Sequence, residues 1–187
     1  EELGYFAHDE LQIIEGLRLS GGYRHDRARF RFHPSTPESV SMSADVYTAG
    51  VNYTFYKRSY AYASYARSFR YPLLDELFSF FNNTINTALV PQLSDNFEAG
   101  VRHYFSDSFF LHVNAFRLDT KNEIFFNPVT FQNENLDGKT RRQGVELSLE
   151  AKPLSALTVR GSYSYTSSKI KGGEFSGSEV PNVPKNK

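Results

Sequence analysis

The feature that most constrains this chain is an alternation of apolar and polar residues at a period of two, sustained in long runs. From Leu17 one face reads Leu17, Leu19, Gly21 and Tyr23, while the other reads Arg18, Ser20, Gly22, Arg24 and Asp26. Tyr47, Ala49, Val51, Tyr53 and Phe55 then alternate with Thr48, Gly50, Asn52 and Thr54. Phe97, Ala99 and Val101 oppose Asn96, Glu98, Gly100 and Arg102, and Phe109, Leu111, Val113 and Ala115 oppose His112 and Asn114. Val145, Leu147 and Leu149 oppose Glu146, Ser148 and Glu150; Leu157, Val159, Tyr163 and Tyr165 oppose Thr158, Arg160, Ser162 and Ser164. Successive side chains of a strand point to opposite faces, so each run reads as a β-strand with one apolar and one wet face. Weaker runs at 3–11 and 60–69, whose facing the pattern leaves open, bring the expectation to about eight strands, mostly of roughly ten residues or more.

The connections alternate in length. Short ones fall at residues 12–16, 56–59, 105–108 and 152–156, and long ones at 33–42, 71–93, 127–139 and 170–187. Short turns at one end and long loops at the other are the layout of an antiparallel transmembrane β-barrel with short periplasmic turns and long extracellular loops. A soluble β-sandwich that stacks sugars on exposed Tyr and Phe also alternates, but its strands are nearer five or six residues and need no such rule for their loops.

Composition narrows the alternatives. The mean hydropathy is −0.49 and no run of about 18 apolar residues could cross a bilayer as a helix. The 12 Tyr and 17 Phe stand in an otherwise polar chain, which suits a sheet wet on one face only. A formal net charge of +0 gives no global field to attract nucleic acid. With no Cys, disulfide frameworks and thiolate metal sites are excluded. The five histidines are scattered and none stands at metal-ligand spacing; no hydrolase, zinc-protease or phosphate-loop motif occurs. These observations predict a protein that is not an enzyme, with neither a metal site nor a cofactor. No signal peptide is visible at Glu1-Glu2-Leu3.

Several stretches, in order along the chain, resemble the barrel of the TonB-dependent receptor family. They are Gly22-Tyr23-Arg24-His25-Asp26; Tyr65-Ala66-Arg67-Ser68-Phe69-Arg70-Tyr71-Pro72 followed by Glu76; and Leu93, Asn96, Glu98, Gly100 and Arg102. Further on are Asn122-Glu123-Ile124-Phe125-Phe126-Asn127-Pro128, then Asn135-Leu136-Asp137, then Arg141-Arg142-Gln143-Gly144-Val145-Glu146, and finally the segment Val180 to Lys187. The resemblance implies an internal segment of an outer-membrane barrel over residues 1–187, without the family's plug domain, TonB box or closing C-terminal strands. It also implies uptake of a scarce nutrient, an iron–siderophore complex first, with cobalamin, haem or an oligosaccharide as other cargoes. The implied partners are outer-membrane lipid, the receptor's plug, TonB acting on the whole receptor, and a metal chelate or other large ligand. A passive porin would share the strands but not the Tyr-x-x-Ser-Phe-Arg-x-Pro and Arg-x-x-Gly-Val-Glu segments.

Two residue sets are candidates for function. On the wet face Arg24, Asp26, Glu98, Arg102, Arg142, Glu146 and Arg160 are expected to face a lumen and to pair with one another or with a plug, because an unpaired charge in a partly dry cavity is costly. In the loop Leu77-Phe78-Ser79-Phe80-Phe81-Asn82-Asn83-Thr84, apolar side chains facing an aqueous medium make sense if they fold over a cavity or touch a ligand. Phe78, Phe80, Phe81, Asn82 and Asn83 are therefore the candidate ligand contacts.

Overall fold

The computed structural model describes residues 1–33, 39–79 and 83–187. Eight long strands form one antiparallel sheet: β1 (Glu2–Ile14), β2 (Leu17–Arg31), β3 (Ser39–Tyr56), β4 (Ser59–Arg70), β7 (Gln92–Ser106), β8 (Phe109–Lys121), β11 (Lys139–Leu154) and β12 (Leu157–Lys171). Each pairs with its neighbours in chain order, an up-and-down meander without crossovers. The loop elements are a single helical turn, α1 (Leu74–Leu77), and two short hairpins, β5 (Phe78–Ser79) with β6 (Thr84–Ile85) and β9 (Ile124–Asn127) with β10 (Gln132–Asn135).

Four tight turns, at Glu15-Gly16, Lys57-Arg58, Asp107-Ser108 and Ser155-Ala156, lie at one end of the sheet. Each adjoins a register shift, at Gln12/Ile14, Thr54/Tyr56, Tyr104/Ser106 and Ala151/Leu154, so the twist needed to reverse the chain is concentrated there. Gly16 occupies a left-handed conformation at φ 80°, and a Cβ there would lie 2.5 Å from the Thr54 carbonyl oxygen. The described residues of the long connections lie at the other end.

The wall strands have 12 to 18 residues, more than the about 9–11 that a tilted strand needs to cross a hydrocarbon layer. Their register sorts the side chains into two faces. One is covered: Leu77 and Leu89 from the 71–91 connection fold down onto Met42 and cluster with Phe30, Val40, Tyr71 and Ile124. Asp26, Ala28, Ala44, Asn114, Thr120, Thr140, Ser168 and Ile170 are buried on that same face. The other face is bare, and Leu19, Val51, Val101, Val113, Val145 and Val159 stand exposed on it.

The facing of the two weaker runs follows from their partners. Gly4 opposite Asp26 and His8 opposite Gly22 put Gly4 and His8 on the covered face and Tyr5 on the bare one. Tyr62 opposite Gly100 is covered, whereas Ala63 and Tyr65 opposite Ala99 and Phe97 are bare. Above the alternating runs the bare face changes character. Tyr23, Tyr47, Tyr65 and Phe97 form an aromatic row, and beyond it come His25 with Asp45, Arg67 with Asp95, and Asp119 beneath Arg117, Arg141 and Lys139. The apolar template of the sequence does not extend to the strand ends.

Candidate functional site

The covered face and the loops above it carry nearly all the polar side chains the sequence singles out. Arg24 and Asp26 are two residues apart on β2 and so point the same way; the guanidinium grips the fully buried carboxylate through two bonds of 2.5 and 2.6 Å. Gly4 lies opposite, where a Cβ would come within 2.5 Å of that carboxylate. Of the seven predicted wet-face charges, only these two pair with each other. Glu98 accepts a bond from Asn96 Nδ2 at 2.7 Å. Arg102 lies 4.4 Å from the centre of the Phe110 ring, and its buried Nε has no partner among the described residues. Arg160 reaches Glu150 at 2.8 Å from the exposed edge of the sheet.

Arg142 and Glu146 belong to clusters that the linear pattern does not reveal. Arg142 donates to both carboxylate oxygens of Glu123, at 3.1 and 2.7 Å, and Thr140 donates to the same carboxylate. Burial pushes the Glu123 carboxyl up, but the bonds from Arg142 and Thr140 outweigh it and hold the group below its ordinary value. Lower on the wall, Tyr62, Gly100, Asn114 and Glu146 stand side by side on four adjacent strands. The tyrosine lies flat across the glycine, where a Cβ would sit 2.7 Å from its ring, and donates through Oη to Asn114 Oδ1 at 2.9 Å. Asn114 passes the chain on to Glu146 at 3.3 Å, and His112 Nε2 lies 3.4 Å from the Tyr62 hydroxyl. Such a row needs a residue without a side chain between two that reach for each other, which is visible only once the register is known.

The loops are joined by asparagines. Asn86 Nδ2 donates to the Asn133 carbonyl at 2.7 Å and Asn133 Nδ2 to the Glu76 carbonyl at 3.3 Å. Asn135 accepts from Val90 N–H at 2.9 Å and donates to the Val90 and Asn122 carbonyls at 3.1 and 2.8 Å. These bonds satisfy backbone groups that no sheet partner reaches, and they tie the 71–91 and 122–138 connections into one body. Arg70 anchors that body to β4 by gripping Glu76 at 3.0 and 2.7 Å.

Of the predicted ligand contacts, Phe78 lies half-buried in β5 and Asn83 is exposed at φ 49°. Phe80, Phe81 and Asn82 lie outside the described residues. Ser79 Oγ donates to the Phe131 carbonyl at 3.4 Å, which brings a second apolar tip, Phe126, Val129 and Phe131, beside the first. Linear sequence does not single out that tip, because Asn127, Pro128 and Thr130 separate its apolar residues. Among the described residues no group of His, Asp and Glu could hold a metal ion.

The family described as TonB dependent receptor-like, beta-barrel, matches residues 1–187. The chain belongs to this family. TonB-dependent receptors of this kind are transport receptors of the Gram-negative outer membrane. Among solved structures, the wall is similar to the ferric-catecholate import receptor Fiu from E. coli K12, at a TM-score of 0.71 and 22% identity over 99% of this chain and 30% of that one. It is also similar to the copper transporter OprC, at 0.82 and 19% over 99% and 30%. BauA, the ferric preacinetobactin receptor from Acinetobacter baumannii, gives 0.75 and 19% over 98% and 28%. At such identities the likeness concerns the fold, and this chain spans less than a third of the length of each of the three. In TonB-dependent receptor terms, the meander is one sector of barrel wall. The paired Arg70 and Glu76 and the bridging Asn135 are among the residues that carry the sequence resemblance.

Proposed function

We propose that this chain forms part of the wall of an outer-membrane receptor that takes up an iron–siderophore complex, with its covered face toward the lumen and its bare face toward lipid. The observation that carries the reading is the cap above the polar face: two long connections held together by Asn86, Asn133 and Asn135, with aromatic tips at Phe78, Phe126 and Phe131. A pre-ordered cap binds a large ligand with less loss of loop freedom than separate loops would. On this reading Phe78 and Asn83, with Phe80, Phe81 and Asn82, contribute to ligand capture. Arg24, Asp26, Glu98, Arg102, Arg142, Glu146 and Arg160 set the electrostatics of the lumen against a plug, on which TonB acts. Two of the three similar structures described above are receptors for ferric complexes by name, which supports iron cargo over the other candidates.

The test is a binding titration on the complete receptor in detergent with a panel of probes: a ferric catecholate, a ferric hydroxamate, cobalamin, haem and a maltooligosaccharide. A ferric complex is expected to bind, and Asn135→Ala, which removes the two bonds to Val90 that help join the connections, is expected to weaken it about tenfold while the folded barrel is retained. Binding of cobalamin, haem or the oligosaccharide alone would reassign the cargo. Unchanged affinity in Asn135→Ala would remove the cap from ligand capture.

A further inference from the structure

The bare face holds a feature that neither uptake nor lumen packing uses. At the outer ends of β8, β11 and β12, Lys121 lies directly opposite Lys139, and Lys139 directly opposite Lys171. One step toward the turns, Arg141 lies directly opposite Lys169. Like charges facing each other across strands destabilise a sheet. The local carboxylates are already engaged: Asp119 takes bonds from Arg117 at 2.7 Å and Arg141 at 2.6 Å, with Lys139 3.6 Å away, and Asp95 opposite it, which also attracts Lys121, is bonded to Arg67 at 2.8 Å. Glu179, which bridges to β12 opposite Lys169, is taken by Lys185 at 2.7 Å. Among the described residues Lys121, Lys169 and Lys171 have no carboxylate within ion-pair distance. Elsewhere on the same face His25 pairs with Asp45 and Arg67 with Asp95, while Arg27 and Arg29 on β2 face serines and, among the described residues, no carboxylate within ion-pair distance. What sets the β8, β11 and β12 sector apart is that its cations stand directly opposite one another across the strands.

The surroundings of that sector can donate hydrogen bonds. Arg141, Gln143, Ser167, Lys169 and Lys171 line an open groove of about 200 Å³ with no acidic residue in its wall. The groove begins in the cross-strand row of Phe97 and one step beyond Tyr165, where ring-bearing side chains mark the border between hydrocarbon and headgroups. Side chains at this height on a lipid-facing surface meet headgroups, and donors with net positive charge match a phosphate oxyanion.

We infer that the groove between the outer ends of β11 and β12 binds the phosphate of an outer-leaflet lipid headgroup, with Lys169 and Lys171 as its principal charges and Lys121 and Lys139 extending the attraction sideways. The inference rests on the proposed placement of the bare face against the outer membrane. The occupant is a lipid because the site adjoins the apolar belt, so acyl chains would lie along Val145, Val159 and Tyr163 while the phosphate meets the lysines.

The experiment is native mass spectrometry of the complete receptor in detergent, titrated with bisphosphorylated lipid A, with the same lipid dephosphorylated, and with inorganic phosphate. The phosphorylated lipid is expected to bind in preference to the dephosphorylated one. Lys169→Gln with Lys171→Gln is expected to lower its affinity about tenfold to thirtyfold, the effect of removing two cations beside an anionic headgroup. Lys169→Arg with Lys171→Arg should restore it, since either cation serves a phosphate. Equal binding of the two lipids, an unchanged affinity in the glutamine variant, or inorganic phosphate competing as well as the lipid would overturn the inference. Membrane fractionation separates this failure from failure of the underlying reading. A receptor recovered folded from the outer membrane but without phosphate preference loses only the lipid site, whereas one absent from the membrane loses both.

Discussion

Leu147 and Ser148 are consecutive on β11, share its hydrogen-bonded neighbours β8 and β12, and face opposite surroundings. On the covered side, polar groups such as Asp26, Asn114 and Thr140 are buried and find partners; on the bare side, Val101, Val145 and Val159 are exposed. In a water-soluble sheet this sorting would be inverted, with a contiguous apolar surface left to aggregate. On the proposed reading, the contrast assigns lipid rather than water to the bare side. On the same reading the lipid ends where that face becomes ionic past the tyrosines, where the strands outrun the length a bilayer requires.

The largest expected effect sharpens this contrast directly. In the complete receptor folded into lipid, Leu147→Arg is expected to destabilise by about 2–4 kcal/mol, the cost of a cation near the midplane, while Ser148→Arg costs much less. Reversible unfolding in phospholipid vesicles measures both, and equal costs would undo the assignment of the faces. Next in size is the covered face. Gly100→Val would drive a Cβ into the Tyr62 ring and the Val113 carbonyl, both 2.7 Å away, and is expected to cost about 1–3 kcal/mol. Placing valine instead at Gly21, where the nearest foreign atom is 4.0 Å from a Cβ, is expected to be tolerated; the two melting temperatures make the comparison.

The smallest effect lies in the loops. Glu123 is held below the ordinary carboxyl value, so its pairing with Arg142 stabilises fully above the unfolded titration range and is lost as the pH falls through the lower folded value. The pair is partly open to solvent, so Glu123→Gln is expected to cost less than about 1 kcal/mol near neutrality and nothing in strong acid. Melting curves across that range should converge on the acid side. Divergence there would mean that another group carries the pH dependence.

The strands were legible because their signal is local. Alternation around Leu17, Tyr47, Phe97, Val145 and Leu157 needs only neighbours in sequence, and the eight-stranded antiparallel sheet follows it. The candidate site was less legible because its bonds join distant residues: Asn86 to Asn133, Asn135 to Val90 and Tyr62 to Asn114 all span more than forty positions. The facing of 3–11 was ambiguous since Phe6 and His8 share one face while Tyr5 and Asp9 share the other, and neither set is uniformly apolar. The lysine row escaped notice for the same reason, as Lys121, Lys139 and Lys171 become neighbours only through register.

The central claim is that alternate residues of one strand meet lipid and water, and it is tested in a receptor whose cysteines outside these 187 residues, which contain none, are first replaced by serine. Single cysteines at positions 145 to 150 of the receptor, reconstituted in vesicles, can each carry a fluorophore quenched by brominated acyl chains or by aqueous iodide. The expected result is strict alternation, with acyl-chain quenching at 145, 147 and 149 and none of it at 146, 148 and 150. Iodide quenching at all six positions, with no response to brominated lipid, would contradict the account.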